Sequence, residues 1–178
     1  MIPAPNLALI GFMAAGKTTV GQALSSRTGL PFHDVDLLVE RSEGLPISDI
    51  FAARGEPYFR EVEGRIFRDL CAGEGLIIAC GGGTLIDPRN RAALEDRCVA
   101  VWLKTSLPEI MRRIGAPGAP ARPLGEGAAA RLVLPSLLSS REDLYRGAEL
   151  VVDTDGKGID AICDELSSAI ALLRGSRA

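Results

Sequence analysis

Residues 7–24 read LALIGFMAAGKTTVGQAL: an apolar run, then Gly11-Phe12-Met13-Ala14-Ala15-Gly16-Lys17-Thr18, then an apolar helical pattern. The middle part fits the phosphate-binding loop G-x-x-x-x-G-K-[ST], and it stands where that loop belongs, between a strand and a helix. Gly11 and Gly16 let the backbone curl so that its N–H groups converge on phosphate oxygens at the positive end of the following helix. Lys17 then reaches the β- and γ-phosphates, and the Thr18 hydroxyl is a Mg²⁺ ligand. An ordinary glycine-bearing turn is the bland alternative. The chain has only three lysines, at 17, 104 and 157, so a chance match to the motif is rare.

Outward from this loop, 178 residues make one domain by size, long enough to bury a core. The opening Met1-Ile2-Pro3-Ala4-Pro5 has no basic or apolar leader character, and no later run reaches the roughly 18 apolar residues that span a bilayer. A cytoplasmic location with no membrane partner is the expectation. Lys+Arg number 20 against 23 Asp+Glu, a net charge of −3, which gives no electrostatic reason to expect nucleic acid. An anionic substrate must therefore be held by local arginines. Cys71, Cys80, Cys98 and Cys163 lack C-x-x-C spacing and His33 is the single histidine, so the cysteines read as reduced, buried, small apolar residues.

Strand-like runs at 7–12, 31–33, 76–80, 99–103 and 150–152 alternate with helical patterns near 17–27, 36–43, 47–54, 58–72, 88–95, 107–114, 127–146 and 159–173. This alternation, with near-continuous apolar strands, predicts a mainly parallel sheet covered by helices on both faces. Ligands of such sheets sit at the carboxyl ends of the strands. Residues 115–127, GAPGAPARPLGEG, cannot continue a helix and carry Arg122 beside uncharged residues on either side, with Glu126 as the other charge in the stretch, which reads as a mobile lid.

Three further clusters follow expected strands or open expected helices. His33-Asp34-Val35-Asp36 places two carboxylates two residues apart, so that in an extended chain both face the phosphate loop. Their natural tasks are holding Mg²⁺ through water and contacting the hydroxyl to be phosphorylated, with a helix N-cap as the alternative for Asp36. His33 has no inferred role. Gly81-Gly82-Gly83 lets the backbone approach a ligand closely. In Gly55-Glu56-Pro57-Tyr58-Phe59-Arg60-Glu61-Val62-Glu63, Arg60 and Glu63 share a helix face, so Glu63 either orients the guanidinium or forms a surface ion pair.

These clusters, in this order, resemble the shikimate kinase family from end to end. The residues that carry the resemblance are 11–21, Asp34-Val35-Asp36, Ile50-Phe51, G-E-x-x-F-R-x-x-E at 55–63, the glycine triplet, Arg122-Pro123-Leu124, and Arg141 with Tyr145. The resemblance implies a single three-layer P-loop kinase domain over 1–178, of nucleoside-monophosphate-kinase-like fold, with a five-stranded parallel sheet and a closing lid. Within it lie the phosphate loop at 11–19, a shikimate-binding helical segment at about 34–63 and the lid at about 115–127. The activity implied is transfer of the γ-phosphoryl of ATP to the 3-hydroxyl of shikimate, by a monomer, on the way to chorismate and the aromatic amino acids.

Carried over residue by residue, Ala14, Ala15, Gly16, Lys17, Thr18 and Thr19 cradle the nucleotide phosphates. Thr18 and Asp34 serve Mg²⁺, and Arg113 stacks on adenine. Arg60 and Arg141 clamp the shikimate carboxylate, while Asp36 and the backbone of Gly82 and Gly83 hold ring hydroxyls. Phe51 and Phe59 supply pocket wall, and Arg122 closes on the phosphates. Lys17, Asp36 and Arg122 form the catalytic set, and sequence leaves open whether Asp36 removes the proton or only orients the hydroxyl. Ala14 stands where the family usually has Gly, and Cys80 where it commonly has Thr or Ser. Two other readings remain: a different small-metabolite kinase, such as a gluconate kinase, and a silent nucleotide-dependent regulator.

Overall fold

The computed structural model describes residues 5–116 and 128–176. Arg122 and residues 117–127 of the expected lid lie outside them. Five strands form one parallel sheet: β1 (Asn6–Ile10), β2 (Phe32–Asp34), β3 (Ile77–Ala79), β4 (Cys98–Lys104) and β5 (Leu150–Asp153), ordered β2-β3-β1-β4-β5. Among the described residues seven helices surround it: α1 (Lys17–Thr28), α2 (Val35–Glu43), α3 (Ile47–Cys71), α4 (Pro88–Arg97), α5 (Leu107–Ile114), α6 (Ala128–Tyr145) and α7 (Ile159–Ser176). The expected elements are present with ends shifted by up to three residues, and those expected at 47–54 and 58–72 are the two parts of α3. A short 3₁₀ turn at Thr84–Ile86 was not anticipated from the sequence.

The central strand explains the layering. Every residue of β1 is buried. Because successive side chains alternate faces, Leu7 and Leu9 join Val99, Val101, Leu103 and Ile77 on one face, where α1 adds Val20 and Leu24 and α7 adds Ile162 and Leu166. Ala8 and Ile10 face the other way, with Ile78, Ala100 and Trp102, under Phe67 of α3, Leu94 of α4 and Tyr145 of α6. A Leu9→Ala change should cost about 2–5 kcal/mol, because Leu9 has no exposed surface and a rigid sheet on either side. Gly21 lets α1 lie on β2: a Cβ there would sit 2.2 Å from the Phe32 ring.

Two features position the site. β1 lies between β3 and β4, so the crevice at the carboxyl ends is flanked by the loops after β1 and β3. α3 is bent at Gly55, whose φ of 79° and ψ of 168° are not helical, which accounts for the separate patterns expected at 47–54 and 58–72. Pro57 suits the opening turn of the second part. The bend places Arg60 and Glu63 in the first turns of that part. No helix among the described residues is long and apolar enough to cross a membrane.

Candidate active site

The chain leaves β1 through Gly11, which has φ 144° and no room for a side chain: a Cβ would lie 2.7 Å from the Leu103 carbonyl oxygen. Ala14 adopts φ 58°, the one positive φ at a non-glycine among the described residues, so its methyl is accommodated at the expense of local strain. Gly16 enters α1 in the left-handed region and has no side chain with which to cap it, so the open end of the helix faces the loop. The Lys17 ammonium donates to the Gly11 and Phe12 carbonyl oxygens, 2.9 Å each, which holds it across the mouth of the loop. The Thr18 hydroxyl donates to Asp34 Oδ2 at 2.6 Å. Ala15 is buried beneath the loop and Thr19 is exposed.

The Asp-Val-Asp segment differs from the expectation of two carboxylates facing the phosphate loop from an extended chain. α2 starts at Val35, so Asp34 ends the strand while Asp36 lies in the first helical turn. The helix cap falls on Asp34, whose Oδ1 accepts from Leu37 N at 3.3 Å, and not on Asp36. The change from strand to helix turns the side chains apart: Asp34 to Thr18, Asp36 toward the glycine triplet. The two carboxylates thus serve different parts of the crevice.

The triplet explains its own composition. A Cβ at Gly81 would meet Glu63 Oε1 at 2.2 Å and Asp36 Oδ1 at 2.7 Å, and one at Gly83 would meet Arg60 Nη1 at 2.6 Å. At Gly82 the nearest atom would be the Met13 backbone nitrogen of the phosphate loop, at 3.7 Å. Asp36, Arg60 and Glu63 are therefore brought against one stretch of bare backbone that borders the phosphate loop. Tyr145 of α6 fixes that stretch by donating its hydroxyl to the Gly82 carbonyl oxygen at 3.0 Å. Burial pushes the Tyr145 phenol above its ordinary range, against the opposing pull of the Arg141 guanidinium, so it stays a donor.

Arg60 and Glu63 do not form a surface pair. The Glu63 side chain is only 1% exposed; Arg60 Nη1 donates to its Oε2 at 2.7 Å, and the outer face of the guanidinium pairs with Glu56. Phe51 and Phe59 meet in a tilted contact, ring centroids 4.8 Å apart, and the Arg60 guanidinium lies over Phe59. Arg141 is half-buried on α6, near Tyr145. Arg113 joins two loops, donating to the Ala14 carbonyl oxygen at 3.1 Å and the Thr154 carbonyl oxygen at 3.0 Å. Glu109 orients it, and the Arg112 and Arg113 guanidinia hold that carboxyl down to about 2. Cys80 is buried, and burial keeps its thiol protonated. All four cysteines are buried and unbridged, as expected.

Sequence reasoning assigned no role to Glu109, Thr84 or Asn90. Glu109 was legible as an acidic residue one turn before Arg113. The other two carried no signal, because their partners are distant in sequence. Among the described residues no three His, Cys, Asp or Glu side chains form a metal cage. Thr18 and Asp34 offer two hard oxygen atoms at hydrogen-bond distance, a donor set that suits Mg²⁺ completed by water and phosphate oxygens.

A phosphate loop after the central strand, with a carboxylate and an arginine gathered on glycine backbone beside it, defines a P-loop kinase acting on a small acidic molecule. Residues 13–171 match the family model described as shikimate kinase. A shikimate kinase of Thioalkalivibrio sulfidiphilus is 40% identical over 94% of this chain and 87% of its own length, and one of Geobacter sulfurreducens is 38% identical over 93% and 90%. The structure of the Acinetobacter baumannii shikimate kinase in complex with shikimate superposes with a TM-score of 0.88 at 32% identity, covering 94% of this chain and 93% of that one. The chain belongs to the shikimate kinase family. It is an enzyme that phosphorylates shikimate with ATP, in the biosynthesis of aromatic amino acids.

Proposed function

We propose that the crevice transfers the γ-phosphoryl group to the 3-hydroxyl of shikimate, with this chain acting as a monomeric, cytoplasmic, single-domain enzyme that needs neither membrane nor nucleic acid. The observation that carries this reading is the glycine triplet, which borders Met13 on one side and Asp36 and Arg60 on the other. An acceptor seated on Gly82 and Gly83 has its carboxylate at Arg60 and Arg141 and a hydroxyl at Asp36, next to the phosphates. Arginine suits the carboxylate because its planar fork donates two parallel N–H bonds. Phe51 and Phe59 give the ring an apolar wall.

The chemistry is positioning and charge neutralisation. Asp36 accepts a hydrogen bond from the acceptor hydroxyl and aims its oxygen along the line of attack. Backbone N–H groups at 14–19 hold the phosphates, and Lys17 leaves the Gly11 and Phe12 carbonyls to neutralise charge that grows at the transferring group. Thr18 and Asp34 would hold Mg²⁺, Asp34 through water, and the ion would supply further neutralisation of the phosphate oxygens. Arg113 would form one side of the adenine site. Arg122 enters this reading through the sequence resemblance alone, as the residue that closes on the phosphates.

Titration calorimetry tests the acceptor site. Arg60 is 28% exposed and already paired, so its replacement by Ala should weaken shikimate binding by about 2 kcal/mol, roughly 30-fold, at the lower end for a buried charged contact. Arg141→Ala should act similarly, and nucleotide affinity should hold in both. Unchanged shikimate affinity in the two variants would remove them from the site.

A further inference from the structure

The Arg60 guanidinium can bind a carboxylate well only if it is held in one place, and the space around it does not hold it. A cavity of about 350 Å³ lies between α3 and the 3₁₀ turn, lined by Pro57, Arg60, Glu63, Gly83, Thr84 and Asn90, so the side chain has an alternative place to go. Its contact with Glu56 is weak as an anchor, because Glu56 is 57% exposed. The buried anchor is Glu63, and what fixes Glu63 lies on another element.

We propose that Thr84 is a positioning residue for shikimate, which through Glu63 sets the direction of the Arg60 fork. The proposal rests on the reading of Arg60 as a carboxylate ligand. The two Glu63 oxygens have separate partners: Oε2 accepts from Arg60 and Oε1 accepts from the Thr84 hydroxyl at 2.7 Å. In this contact the hydroxyl donates and the carboxylate oxygen accepts, so the hydroxyl proton points at Glu63. With Oε1 pinned, the carboxylate cannot rotate, and Oε2 stays aimed at Arg60. Thr84 is itself 1% exposed and is held from behind. The amide of Asn90, also 1% exposed, donates from Nδ2 to the Thr84 carbonyl oxygen at 2.8 Å, and its Oδ1 accepts from Arg68 Nη1 at 2.6 Å. Gly64 makes room for this chain of contacts on α3, since a Cβ there would lie 2.8 Å from Arg68 Nη1 and 3.2 Å from the Asn90 amide. The relay thus runs Arg68, Asn90, Thr84, Glu63, Arg60, and ends on the substrate carboxylate.

The test is a steady-state comparison of Thr84→Val, which keeps shape and loses the hydroxyl, with Thr84→Ser, which keeps the hydroxyl, and with Arg60→Ala as reference. Thr84→Ala serves in place of the valine variant if that variant fails to fold. Removing one hydrogen bond to a buried charge should raise the KM for shikimate about tenfold or more. The KM for ATP and kcat should stay within about twofold, and Thr84→Ser should restore the wild-type KM. The methyl ester of shikimate gives a readout that a merely structural role would not move: its KM should rise far less in Thr84→Val than that of shikimate does. An equal rise for acid and ester, or an unchanged shikimate KM in Thr84→Val while Arg60→Ala raises it, overturns the role of Thr84. An unchanged KM in Arg60→Ala overturns instead the carboxylate role of Arg60, and this inference with it.

Discussion

Gly81→Ala is the smallest substitution that probes the arrangement of charged groups without removing any of them. Gly81 does not have a positive φ, so an alanine meets no backbone penalty, and the effect of the methyl is confined to what it touches. It would touch Glu63 Oε1 at 2.2 Å and Asp36 Oδ1 at 2.7 Å, where ordinary contact begins at 3.4 Å. Both carboxylates must therefore retreat by about 1 Å. Overpacking of this size costs about 1–3 kcal/mol of stability, which lowers Tm by about 2–12 °C in a domain of this length and leaves the protein folded. The catalytic loss should be greater in proportion, because a misplacement of about 1 Å in a positioned group costs about 100-fold in rate, or about 2.7 kcal/mol of transition-state stabilisation. Circular dichroism melts and a coupled ADP-release assay measure the two effects, and calorimetry with ADP should show nucleotide binding preserved. A folded Gly81→Ala enzyme with near-wild-type kcat/KM for shikimate would refute the placement of Asp36 and Glu63 against this backbone.

Three further outcomes are expected. Lys17→Ala should abolish ADP release while its circular dichroism spectrum stays native, and near-wild-type turnover in the folded variant would remove the phosphate loop from the chemistry. Asp36→Asn should depress kcat strongly with nucleotide binding intact, whereas Asp34→Asn should be partly rescued by raising the Mg²⁺ concentration; the opposite pattern of rescue would exchange the two roles. Ala14→Gly should relieve the left-handed strain, worth about 1–2 kcal/mol, against a smaller gain of freedom in the unfolded chain, for a net rise in Tm of about 2 °C. A fall in Tm would mean that the Ala14 methyl makes packing contacts that outweigh the strain.

The sheet was legible because its strands announce themselves. Strands such as β3 and β4 are covered on both faces of a parallel sheet, with Ile77 and Val101 in one core and Ile78 and Ala100 in the other, and read as unbroken apolar runs, and the phosphate loop fixes where the first strand ends. The bend in α3 was legible too, through Gly55 and Pro57. What failed to show was side-chain direction. Asp34 and Asp36 diverge because the helix starts one residue earlier than the expected 36–43, and helix boundaries are set by a single capping hydrogen bond. The burial of Glu63 was equally hidden: an i, i+3 pair looks the same on a surface as in a core, and what distinguishes this one is Thr84, 21 residues away on another element. The link of Arg113 to Ala14 and Thr154 depends on backbone carbonyls, which have no sequence signature at all.

The most direct test of the central claim is a coupled ADP-release assay over shikimate, quinate, gluconate and nucleoside monophosphates, with the phosphorylated position read by ³¹P–¹H NMR. The account predicts rapid ADP release with shikimate, a product phosphorylated at the 3-hydroxyl, and loss of this preference when Arg60 and Arg141 are both replaced by Ala. Turnover of gluconate or a nucleoside monophosphate equal to that of shikimate, or phosphorylation at another ring hydroxyl, would contradict it.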